Sequence, residues 1–152
     1  MNFDNLNYTA ETYHPYVAYG QAKTANILMT NAITRYYSSE GITGLAVHPG
    51  GISSTGLFKH VSVDDLASVG DPEAMARSFK STEQGAATTV WAAVSPWFED
   101  VAHGGRLLGD VGESPPAKEG DAFDFASYAS WAYDLEAEDR LWKLSRETVG
   151  LE

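Results

Sequence analysis

The spacing of apolar residues changes along the chain, and each change marks an element. From Tyr16 to about Tyr37 there is no proline and one glycine, Gly20, while Ala18, Ala22, Ala25, Met29, Ala32, Ile33 and Tyr36 recur at helical spacing. Pro15 just before this run suits a helix start, where a missing N–H costs nothing. The spacing predicts a long helix that buries this stripe. Gly41 stops it, and Thr43–Val47 reads as a short buried strand ended by His48-Pro49-Gly50-Gly51.

Periodicity is lost from 53 to 70, as in a mobile surface segment. A short helix is predicted from Pro72 to Phe79. Ser81 followed three residues later by Gln84 is a capping-box pattern, and Ala86, Ala87, Val90, Trp91, Ala93 and Val94 predict a helix ending at Pro96. Arg106-Leu107-Leu108 reads as a strand, 109–120 as a loop, and Glu136–Thr148 as a last helix closed by Gly150. Helix, strand and Gly-rich loop in that order are the signature of an α/β fold. There is no internal repeat and no low-complexity tract.

Composition narrows the partners. A chain of 152 residues that is 43% hydrophobic can form one domain with a core. Its formal net charge of -11 repels polyphosphates and anionic surfaces, which argues against nucleic acid as a partner. There is no cysteine, and His14, His48, His60 and His103 fall at no metal-ligand spacing, so no metal site is expected. No apolar stretch reaches the roughly 18 residues needed to span a bilayer, and residues 1–4 show no leader pattern. The expectation is a soluble, cytoplasmic protein.

Tyr19 and Lys23 are four residues apart on the first predicted helix, which places both side chains on one face. A tyrosine hydroxyl titrates near pKa 10 and exchanges protons at neutral pH only if its anion is stabilised, as a neighbouring ammonium would do. The spacing alone is equally that of a solvated tyrosine beside a surface lysine.

Three segments carry more than spacing: Tyr19-Gly20-Gln21-Ala22-Lys23-Thr24-Ala25-Asn26-Ile27-Leu28, Leu45-Ala46-Val47-His48-Pro49-Gly50-Gly51-Ile52, and Glu83-Gln84-Gly85-Ala86. With Asp139-Arg140-Leu141-Trp142-Lys143-Leu144-Ser145 near the end, they resemble short-chain dehydrogenases/reductases, in particular the retinol-dehydrogenase-like and WW-domain-oxidoreductase-like branch. The resemblance covers nearly the whole chain. It implies a partial Rossmann-like fold, the C-terminal portion of a doubly wound parallel sheet, and NAD(P)-dependent interconversion of a small-molecule alcohol and its carbonyl compound.

In that family the Tyr-x-x-x-Lys tyrosine is general acid/base, and the lysine lowers its pKa and hydrogen-bonds the nicotinamide ribose, roles that match Tyr19 and Lys23. The family's Pro-Gly turn packs against the nicotinamide, which maps Pro49, Gly50 and Ile52 to cofactor contacts, Ile52 through its backbone. Where the branch has a threonine two residues after Ile52, Ser54 stands here with Thr55 next, and neither takes that role unambiguously. His48, at a strand end before proline, is expected to be a structural hydrogen-bonding residue.

The chain contains no Gly-x-x-x-Gly-x-Gly pattern and no Asn-Ala-Gly segment, and the family's catalytic serine has no counterpart in it. The resemblance therefore implies that residues 1–152 are the C-terminal half of such a domain, inactive by themselves and poorly stable because apolar helix surface lacks its partner. The alternative is a non-catalytic remnant that acts through association, in a homo-oligomer or with a full-length relative, with Leu28 as the partner contact.

Overall fold

The computed structural model describes residues 1–59, 71–118 and 127–151. Four α-helices and three strands alternate along them: α1 (Pro15–Tyr37), β1 (Leu45–His48), α2 (Pro72–Arg77), α3 (Thr82–Val94), β2 (Arg106–Gly109), β3 (Gly112–Glu113) and α4 (Leu135–Thr148). The strands form one sheet in the order β1-β2-β3. The connection from β1 to its neighbour β2 runs through α2 and α3, the helical crossover that joins parallel strands. This is a mixed α/β arrangement, a partial Rossmann-like fold.

Local chemistry accounts for the element ends. Pro15 occupies the first turn of α1, and Gly41, at φ 77°, closes the 3-10 turn that follows it. Asp71 and Asp134 accept hydrogen bonds from the first free N–H groups of α2 and α4, and Ser81 with Gln84 forms both bonds of a capping box on α3.

Two expectations need correction. The stretch from Gly109 is not simply a loop: the chain turns at Asp110-Val111 into β3, antiparallel to β2, with Leu108 opposite Glu113 and Gly109 opposite Gly112. Both corner residues have positive φ, 51° and 58°. A β-branched valine rarely adopts that conformation, so the sequence does not advertise this turn. The unpatterned stretch 53–70 contains a 3-10 turn at Gly56–Phe58, and its residues 60–70 lie outside the described residues, as do 119 and 120.

The chain divides into two compact units. The first comprises the described residues of Met1–Ala46, Val101–Arg106 and Ser130–Glu152. Its buried residues include Leu28, Ala32, Ala46, Ala132 and Leu141, together with the polar Asn31 and Glu138. Here the second correction arises. Of the predicted stripe on α1 only Ala32 is buried, whereas Ala22 and Tyr36 are exposed, and the covered face runs through Leu28, Asn31 and Ala32.

A polar network between α1 and α4 explains the rotation. Asn31 Nδ2 donates to the Ala132 carbonyl at 2.9 Å and to Glu138 Oε1 at 3.1 Å, and Arg35 Nε pairs with Glu138 Oε2 at 3.3 Å. Arg35 Nη2 also reaches Asp139 at 2.7 Å, and the Tyr36 hydroxyl donates to the same carboxylate. The Tyr36 and Tyr37 rings pack on Trp142, with centroids 5.2 and 5.9 Å away.

The second unit comprises the described residues of Val47–Asp100 and Leu107–Ala129. Met75, Gly85, Thr88, Leu108 and Ser114 are buried in it, and Trp91 meets Phe98 edge to face at 4.8 Å. Val90 and Val94 on α3, and Trp97 just beyond it, are exposed. No helix among the described residues is long and apolar enough to cross a membrane.

The α1–α4 network contributes to the pH dependence of the first unit. The Tyr36 hydroxyl and then Arg35 hold the Asp139 carboxyl below its ordinary value, so its stabilisation is present above the unfolded carboxylate pKa and is lost as pH falls through the lower folded value. Bonding to Asp139 raises Tyr36, whose contribution is present below pH 10 and is lost as pH rises through its folded value. Stability should therefore hold between these limits and fall in acid below about pH 4, and Asp139→Asn should flatten that acid limb in denaturation followed by circular dichroism. Asn31→Ala, which leaves a buried carboxylate oxygen short of a donor, should lower stability by about 1–3 kcal/mol in a urea titration.

Candidate functional site

Tyr19 and Lys23 lie one turn apart near the start of α1, and both are exposed. Lys23 Nζ lies 5.5 Å from the centroid of the Tyr19 ring. The predicted pair thus exists as a contact, one that at an exposed site contributes about 0.5–1 kcal/mol. Tyr19 is 52% exposed because at 100° per residue it sits about 180° around α1 from Leu28. Leu28 is fully buried, so it is not an available partner contact, and that expectation is corrected.

The residues before α1 are fastened near this pair. The Asn2 N–H donates to Gln21 Oε1 at 2.8 Å and Gln21 Nε2 donates to the Asn5 carbonyl at 3.4 Å, while Arg140 reaches Asp4 at 3.2 Å and lies over the Phe3 ring at 4.5 Å. The start of the chain is therefore tied to both α1 and α4.

In the second unit, Pro49, Gly50 and Ile52 lie together on the turn that follows β1. The Gly50 N–H donates to His48 Nδ1 at 3.1 Å, so His48 acts in the turn as a structural hydrogen-bonding residue. The Ile52 carbonyl accepts from the Thr55 N–H at 3.3 Å and from Thr55 Oγ1 at 2.9 Å. The Thr55 hydroxyl is thereby occupied locally, and Ser54 is exposed beside it.

Three residues that the sequence did not single out individually shape this turn. Gly85, buried on α3, faces it: a Cβ there would collide with Ile52 Cδ1 and sit 3.4 Å from the Pro49 carbonyl oxygen. The signal was present in Glu83-Gln84-Gly85-Ala86, but its cause appears only in three dimensions. The Lys80 N–H donates to the Gly51 carbonyl at 2.8 Å, and its ammonium pairs with Asp110 at the β2–β3 corner. Nothing in their spacing connects Lys80 with Asp110, thirty residues apart.

The Pro49–Ile52 turn offers backbone groups and an apolar side chain, a surface of the kind an aromatic amide packs on. Separately, on α1, the exposed Lys23 ammonium carries donors of the kind a hydroxyl accepts. A pyrophosphate is best met by backbone N–H groups of a Gly-rich turn, a pattern the sequence lacks. Among the described residues no three His, Asp or Glu side chains gather as a metal site.

Comparison with known proteins gives homologues over almost the entire chain. A "Short-chain dehydrogenase/reductase prx1" of Penicillium roqueforti is 43% identical over 148 residues, which are 97% of this chain and 42% of that protein. A "Probable oxidoreductase" of Streptomyces lividans is 35% identical over 98% of this chain and 50% of its own length. The "WW domain-containing oxidoreductase" of Pongo abelii is 32% identical over 98% of this chain and 32% of its own length. The chain thus spans half or less of each of these relatives. No family model matches it.

Gly85→Ala should lower stability by about 1–3 kcal/mol, because Ile52 must leave its place against α3. At Gly20 on α1 a Cβ would meet nothing within 4 Å, so Gly20→Ala should be neutral or stabilise by up to about 1 kcal/mol. Denaturant midpoints of the two variants, measured side by side, check both.

Proposed function

Because the chain belongs, over the stretch it shares with these relatives, to the short-chain dehydrogenase/reductase family, we propose that it carries the proton-transfer half of an NAD(P)-dependent oxidoreductase that interconverts an alcohol and its carbonyl compound. The observation that carries this reading is the Tyr19–Lys23 contact at 5.5 Å on an exposed face of α1.

Tyr19 gives its hydroxyl proton to the carbonyl oxygen in reduction and takes it back in oxidation. The negative charge left on Tyr19 is met by the Lys23 ammonium, which also donates to the ribose. The cofactor, when bound, supplies or accepts the hydride. Pro49 and Gly50 flank the nicotinamide, and since the Ile52 carbonyl is committed to Thr55, a backbone contact from Ile52 to the carboxamide comes from its N–H.

Residues 1–152 represent the C-terminal half of the domain in this reading, and dinucleotide affinity resides mainly in a Gly-rich segment that the sequence does not contain. The net charge of -11 further opposes an anionic ligand.

Three measurements test the reading. In a polypeptide that joins this sequence to a Gly-rich dinucleotide-binding segment, Tyr19→Phe should lower kcat by about 10²- to 10⁴-fold while leaving cofactor affinity nearly unchanged. Turnover kept within about tenfold would make Tyr19 structural. Lys23→Ala should weaken NAD(P)H binding, because the ribose loses its ammonium donor. The 152-residue chain itself should bind NADH and NADPH no tighter than about millimolar by calorimetry, since its sequence has no Gly-rich pattern to meet the pyrophosphate.

A further inference from the structure

We propose that Lys80 is a positioning residue that holds the Pro49–Ile52 turn in shape for the nicotinamide, acting with Asp110 as a clamp across Gly50. The inference rests on the reading of that turn as a cofactor contact.

Three features of Lys80 converge on the turn. Its backbone N–H donates to the Gly51 carbonyl at 2.8 Å. Its methylene stem covers Gly50, where a Cβ would come within 2.7 Å of Lys80 Cδ and 2.8 Å of Cε. Its ammonium pairs with the Asp110 carboxylate. Gly50 sits at φ 80°, a left-handed conformation that glycine adopts without strain, and the Lys80 side chain lies across it.

Both ends of the clamp hang on α3. Lys80 immediately precedes the Ser81 capping box, in which the Ser81 N–H donates to Gln84 Oε1 at 2.8 Å and Ser81 Oγ accepts from the Gln84 N–H at 3.2 Å. Asp110 is followed by Val111, whose N–H donates at 3.1 Å to Oγ1 of Thr88, a buried residue of α3. Asp110 and Val111 both have positive φ, a corner that persists only where surrounding contacts over-determine it. The strained corner thus places a carboxylate where it meets the cation lying over Gly50.

Stability does not explain the pair. The Asp110 side chain is 61% exposed, and ion pairs so open to water add little to folding. What the pair fixes is local: it ties the β2–β3 corner across the turn to the start of α3, so that the Pro49–Ile52 backbone presents one geometry to a ligand.

The first arm of the test uses the 152-residue chain and hydrogen exchange. Lys80→Met and Asp110→Asn should each speed amide exchange at Gly50 to Ile52 by roughly tenfold, and the double variant should match the single ones because they remove the same interaction. Asp110→Asn breaks the pair from its exposed side, which keeps the test available if Lys80→Met does not fold. Unchanged exchange overturns the clamp.

The second arm uses the polypeptide joined to a dinucleotide-binding segment. Each of the two variants should raise KM for NAD(P)H by roughly tenfold with kcat altered less than about threefold, the opposite split from Tyr19→Phe. Faster exchange with unchanged KM would leave the clamp merely structural and overturn the positioning role. If Tyr19→Phe does not slow turnover, the proton-transfer role of Tyr19 fails instead, while the exchange result stands on its own. If the joined polypeptide shows no NAD(P)H-dependent turnover at all, the oxidoreductase reading fails.

Discussion

The Glu138 carboxylate, almost wholly buried between α1 and α4, governs the unit that carries Tyr19 and Lys23. A buried carboxylate must be met by donors, and here Asn31 and Arg35, one turn apart on α1, supply them. Once those two residues face α4, the rotation of α1 is settled. Leu28, one turn before Asn31 and Ala32, goes inward, and Tyr19 and Lys23 come out on the far side. A helix lined only with alanines could pack at several rotations at similar cost, because alanines are small and alike. The ionic contact removes that freedom, a registry role of the kind buried polar groups play in coiled coils.

The second unit obtains its precision differently. Around the Pro49–Ile52 turn the fold relies on close approach: Gly85 admits Ile52 against α3, Lys80 lies across Gly50, and Phe79 packs where a Cβ on Gly51 would come within 2.9 Å. Each is a steric requirement on backbone or a short side chain, and each is anchored to a capped helix. Capping matters here beyond its own contribution to stability, because the box at Ser81 and Gln84 fixes where the chain enters α3, and hence where Lys80 sits.

What the sequence made legible follows from range. Elements specified by local signals came through: the start of α1 at Pro15, the box at Ser81 and Gln84, and the ends at Gly41 and Gly150 were read within a residue or two of where they lie. The Tyr19–Lys23 contact was legible for the same reason, since four residues on a helix are neighbours by geometry. The buried face of α1 was not, because its decisive residue is a polar Asn31 that looks out of place until Glu138, more than a hundred residues later, is set beside it. Val111 at positive φ hid the β2–β3 corner, and with it the link from Asp110 to Lys80. In both units the missed features are polar contacts between distant residues, which leave no periodic trace.

These two kinds of constraint bear on chemistry in different ways. The turn after β1 is held by contacts already in place, so its shape is largely pre-formed. The Tyr19–Lys23 pair is open: with the tyrosine half exposed, water screens the field of the ammonium at the ring. The pair therefore gains strength from whatever excludes that water. Under the proposed function, a nicotinamide and an apolar substrate over Tyr19 would do so themselves and would raise the electrostatic effect of Lys23. If Tyr19 transfers a proton as proposed, that step would be coupled to ligand occupancy, since a charge on Lys23 acts more strongly once water is excluded from the pair.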